Sequence, residues 1–94
     1  MTLQQLRYVV EAATAGSITA ASQRLFIAQP SLSKAISELE SEMGITIFER
    51  SSKGVVPTED GTRFLSYARQ VVEQADLLEA QYKHGTPPRR VFGV

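Results

Sequence analysis

The chain contains no cysteine, one histidine and no net charge, and each shortage removes a class of function. Without cysteine there is neither a disulfide scaffold nor a thiolate zinc site, which suits a reducing cytoplasm. The one histidine, His84, stands at a helix end beside Gly85. No nucleophile–base constellation or metal cluster can be assembled around it. The sequence therefore predicts no enzyme, no metal and no cofactor. No apolar run approaches the ~20 residues that span a bilayer. MTLQQLRYVVEAA places no basic region ahead of a long apolar core, so no secretory leader is expected. Ten basic and ten acidic residues cancel. For a nucleic-acid binder that is awkward, because Lys and Arg on phosphates supply much of the affinity. The charges must then be segregated in space, or affinity must come from joining copies.

What is present is 94 residues with 43% hydrophobic content, one small domain at most with an appended helix. A domain of this size buries only about 60% of its unfolded surface, which favours a partner chain. Leu3, Leu6, Val9, Val10 and Ala13 recur at helical spacing, predicting a helix over roughly 2–15 that stops at Gly16. Ser17 is a good N-cap for a second helix to about Leu25, with Ala20, Ala21 and Leu25 inward. A third helix starts at Gln29-Pro30, where proline is tolerated, and ends at Gly44. The spacing from Ala21 through Phe26-Ile27-Ala28 to Ile36 and Leu39 fits a helix-turn-helix, an arrangement that pushes its second helix into the major groove of DNA.

Ile45 to Phe48 is β-branched and aromatic and predicts a short strand. Ser51-Ser52-Lys53-Gly54 reads as a turn and Val55-Val56 as a second strand, together the wing of a winged helix. Thr58 then caps a long helix over about 59–84, with Glu59 and Asp60 favouring the positive end of its dipole and Gly61 a modest liability. The expected fold is mainly α: three helices, a β-hairpin wing and a long helix. Along the last helix Phe64, Ala68, Val71, Ala75, Leu78 and Tyr82 step by four and three, the a/d seam of a dimerising coiled coil. Leu65 and Val72 widen the stripe, so part of the helix also packs on its own domain. His84-Gly85 and Pro87-Pro88 end it, and RRVFGV reads as the opening of a strand that breaks off. The expected organisation is 1–58 for DNA binding, 59–84 for linking and dimerisation, and 85–94 as a hinge into something longer.

On a helical wheel Leu32, Ile36, Leu39 and Met43 share the core face of the third helix. Pro30, Ser33, Lys34 and Ser37 lie opposite, with Gln29 and Ser31 at the N-terminal tip. Recognition helices use their N-terminal residues on base edges. Glu38, Glu40 and Glu42 crowd the rear and would repel phosphate, so the front half points in. Gln29 can pair with adenine N6 and N7, while serine hydroxyls are less selective. Arg50, Ser51 and Lys53 place two cations on the wing for backbone or minor-groove contact. Thr19, with the first amides of its helix, can reach a phosphate. Taken singly, a serine-rich face is solvated surface, hairpin cations are solvated charge and a heptad stripe is an ordinary core stripe. Their order and spacing join them.

SITAASQRLFIAQPSLSKAISELESEMGITIFERSSKGVVPTEDG resembles the N-terminal domain of LysR-type transcriptional regulators. The likeness rests on Gly16-Ser17, Ala20-Ala21, Gln29-Pro30-Ser31-Leu32-Ser33, Leu39-Glu40, Gly44, Phe48-x-Arg50, Thr58 and Gly61. The resemblance implies a bacterial, sequence-specific regulator of promoter DNA that forms dimers and tetramers. A linker helix would pair two subunits, and a small-molecule inducer would bind an effector domain that follows. It also implies base and backbone contacts for Gln29, Pro30, Ser31, Ser33 and Lys34, and wing contacts for Arg50 and Lys53. Four positions depart from the family pattern. Ala28 lacks the usual Ser or Thr cap, a loss of about 1 kcal/mol; Lys34 and Lys53 replace arginine and lose its planar fork; Asp60 replaces a frequent alanine. With zero net charge, these changes predict weaker binding by the isolated unit. A rival reading is a winged helix whose exposed face binds protein, which the neutral charge favours and the scarcity of aromatics on that face disfavours.

Overall fold

The structure, a computed structural model, describes residues 1–83. The expected helix end at His84-Gly85 and the segment RRVFGV lie outside the described residues. Thr2 forms a reciprocal cap with Gln5: its hydroxyl accepts the Gln5 amide at 3.0 Å and the Gln5 side chain accepts the Thr2 amide at 2.9 Å. That cap starts α1 (Leu3–Ala15), which ends at Gly16. Ser17 accepts the Ala20 amide at 3.2 Å and starts α2 (Ile18–Leu25). Ala28 stands at the N-cap of α3 (Gln29–Met43) with no side-chain bond, as the departure from the family pattern implies.

The first strand comes later than expected. Ile45 to Ile47 are already committed: the Ile45 amide donates to the Glu40 carbonyl at 3.2 Å, and the Ile47 amide to the Glu40 carboxylate at 2.8 Å. Pairing begins at Phe48, giving β1 (Phe48–Ser51) and β2 (Gly54–Pro57) in antiparallel register, Phe48 opposite Pro57 and Ser51 opposite Gly54. The wing is tied back to the bundle by the Val55 amide, which donates to the Gly16 carbonyl at 3.1 Å. Gly54, at φ 131°, passes so close to that carbonyl that a Cβ there would overlap it.

Thr58 caps α4 (Glu59–Tyr82), accepting the Gly61 amide at 2.9 Å while its hydroxyl donates to the Thr46 carbonyl. Gly61 is more than the liability expected of it. It is buried against Ile47, whose carbonyl a Cβ would penetrate, so α4 can leave the wing at this angle only over a glycine.

One core joins all of these elements. Val9, Leu32, Ile36, Leu39, Ile47 and Leu65 are its largest fully buried side chains. At about 25 cal/mol per Å2 of apolar surface, each such residue contributes roughly 1.5–3 kcal/mol. Ala21 is also fully buried, the small residue needed where α2 passes close to its neighbours. α1 packs against all three other helices and against β2. α4 belongs to the core only in its first half, through Leu65, Ala68 and the half-buried Phe64 and Val72. Further along it is held to α1 by Arg7, 2.7 Å from Asp76 and 3.9 Å from Glu79.

Candidate nucleic-acid interface

The front of α3, the start of α2 and the wing meet on one side of the molecule. Gln29, Pro30, Ser31, Lys34 and Ser37 are exposed, while Leu32, Ile36 and Leu39 are buried on the opposite face of the helix. The wheel derived from sequence thus describes the helix as it packs. Ser33 differs: it is half-buried, and its Oγ accepts a hydrogen bond from Arg50 Nη1 at 3.2 Å. That bond connects the middle of the α3 face to the wing.

A second connection runs from the wing to α2. An open cleft of about 230 Å3 lies between Ser17, Ile18 and Thr19 on one wall and Arg50 through Val55 on the other. Thr19, Arg50, Ser51 and Lys53, all exposed, therefore share a rim. Thr19 belongs to the first turn of α2, whose leading amides carry partial positive charge toward that rim.

Charge on this side is not cancelled. Arg7, Arg24, Arg63 and Lys83 each lie within 4 Å of a carboxylate. Among the described residues, Lys34, Arg50, Lys53 and, on α4, Arg69 pair with none. Three of the four unpaired cations thus lie on this face, while four of the five elsewhere sit beside a carboxylate.

Glu40, grouped from sequence with the repelling carboxylates, does something else. It is half-buried, and its Oε2 accepts the Ile47 amide at 2.8 Å and the Phe48 amide at 3.2 Å, anchoring the root of the wing to α3. Sequence reasoning missed this because the partners are seven and eight residues away across a turn. Glu38 and Glu42 remain exposed toward the rear of α3.

The six residues expected on the dimer seam divide. Ala68 is 2% exposed and Phe64 half-buried, both packed on the chain's own core. Ala68 offers little surface of its own because it faces the same way as Leu65, though it lines an apolar groove with Phe64 and Val71. Val71, Leu78 and Tyr82 are exposed and Ala75 is half-buried. With Leu77 they leave the outer half of α4 with large apolar side chains in solvent, and Tyr67 is exposed in the first half.

Residues 3–62 match the family model described as "Bacterial regulatory helix-turn-helix protein, lysR family". The HTH-type transcriptional regulator TfdS of Cupriavidus pinatubonensis (strain JMP 134 / LMG 1197) is 45% identical over 73 residues, 78% of this chain and 25% of that protein. The chain thus spans about a quarter of the length of this relative. The solved CbnR_DBD–DNA complex superposes with a TM-score of 0.81 at 33% identity, covering 89% of this chain and 97% of that one. The BenM_DBD/benA site 1 DNA complex gives 0.81 at 39% identity, covering 89% and 98%.

Proposed function

Because the chain belongs to the lysR family of bacterial regulatory helix-turn-helix proteins, we propose that it is the DNA-binding part of a sequence-specific transcriptional regulator that acts on duplex promoter DNA. α3 enters the major groove by its front half. Gln29 and Ser31 face base edges there, and Pro30, Lys34 and Ser37 line the approach. Arg50, Ser51 and Lys53 take the adjacent backbone or minor groove, and Thr19 takes a phosphate at the start of α2. Residues 1–58 form the binding unit, and the outer half of α4 pairs two copies through Val71, Ala75, Leu78 and Tyr82. Tetramers and a small-molecule inducer belong to the remainder of the longer protein that the relatives' length suggests. The relatives are named as transcriptional regulators, and binding rather than catalysis is the activity assigned. No described helix is long and apolar enough to cross a membrane, which suits action on DNA in the cytoplasm.

The observation that carries this reading is the set of Lys34, Arg50 and Lys53, none within 4 Å of a carboxylate among the described residues and joined to the polar front of α3 through Ser33. Selection from a random duplex library tests it. The expected product is a pair of inverted half-sites about one helical turn apart, or a multiple of that. Recovery of unrelated sequences after repeated rounds would exclude sequence-specific binding.

A further inference from the structure

We propose that Ser33 is a positioning residue: its hydroxyl holds the Arg50 guanidinium ready for phosphate, so that wing and recognition helix engage DNA as one unit. The inference rests on the DNA-binding reading above. It departs from what the sequence suggests for Ser33, a hydroxyl among others that reads bases.

Three observations separate Ser33 from its neighbours. Ser31, Lys34 and Ser37 are exposed, whereas Ser33 is half-buried, with its oxygen occupied by Arg50 Nη1 at 3.2 Å. Arg50 lies mid-strand opposite Val55, which is buried and bonded to Gly16, so the ladder fixes the Arg50 backbone and only its side chain remains to be placed. No carboxylate among the described residues pairs with Arg50.

The choice of a hydroxyl matters chemically. A carboxylate at this position would orient the guanidinium but also neutralise it and compete with phosphate. A neutral hydroxyl accepts one N–H and leaves the charge and the remaining N–H donors of the fork free. A long side chain on a hairpin loses rotamer freedom when it settles on a ligand. Ser33 imposes part of that loss before DNA arrives, the usual route by which preorganisation raises affinity.

The role predicts a definite pattern. Ser33→Ala should weaken binding to every duplex alike, by roughly threefold to tenfold, as expected for one solvent-exposed hydrogen bond. In an Arg50→Ala background the same change should alter affinity by less than about twofold, since the partner is gone. Ser33→Thr, which keeps the hydroxyl, should restore most of the affinity. Fluorescence anisotropy on the selected duplex and on a scrambled one reads all five proteins, the unmodified chain included, with circular dichroism melts checking that each is folded. A change in the preferred base sequence on Ser33→Ala, or equal losses in both backgrounds, would overturn the positioning role. Absence of duplex binding by the unmodified chain would instead defeat the DNA-binding reading, and the Ser33 proposal with it.

Discussion

Two residues set opposite limits on substitution. A Cβ on Gly61 would enter the Ile47 carbonyl, and neither backbone can yield without moving α4 or the wing. Gly61→Ala should therefore destabilise by about 3 kcal/mol, the upper part of the range for overpacking. A thermal melt should fall by roughly 12–24 °C for a domain of this size; an unchanged midpoint would show that the crossing is looser than described. Phe26 lies at the other extreme. It is the one non-glycine residue with positive φ among those described, at 59°, and its ring is 93% exposed. It bears a left-handed penalty and buries almost nothing in return. Phe26→Asn, better suited to this conformation, should raise stability by up to ~1 kcal/mol, and a lowered melting temperature would contradict that.

At the scale of elements, what could be read in sequence was what local chemistry decides. Ser17, Gly44 and Thr58 mark helix boundaries because a cap acts on amides three residues away or ends the helix at its own position. The exposed and buried faces of α3 follow from a period that needs no knowledge of neighbours. The later start of β1, the anchoring by Glu40 and the Arg50–Ser33 bond could not be read in this way. Each joins groups from different elements, and sequence spacing says nothing of which loops bring them together. α4 shows both cases along one helix. Its heptad pattern is uniform, yet the first half packs inward through Leu65 and Ala68 while Leu78 and Tyr82 are 64% and 71% exposed. A single period cannot distinguish a stripe covered by the same chain from one awaiting a second copy. Leu78→Asp addresses the outer half. It should abolish dimerisation in sedimentation and lower DNA affinity by roughly 10²-fold through lost bivalency, with the helical signal of α1 to α3 retained. A dimer of undiminished affinity would place the seam elsewhere.

For the molecule as a whole, the central question is how a chain of zero formal charge binds a polyanion. Its answer is spatial: of the eight described cations four sit beside carboxylates, and of the four that do not, Lys34, Arg50 and Lys53 share the face of α3 and the wing, leaving only Arg69 on α4. Affinity should then depend on local cations rather than on the total. Three neutralised phosphates per protomer, six for the dimer, give a slope of log K against log salt of roughly −5. The most direct measurement is fluorescence anisotropy of a labelled duplex titrated with the protein at several salt concentrations. Binding that weakens with about that slope, and less steeply after Arg50→Ala, is the predicted result. Absence of binding at low salt from a folded chain, or binding indifferent to salt, would contradict the account and turn attention to a protein partner for the same face.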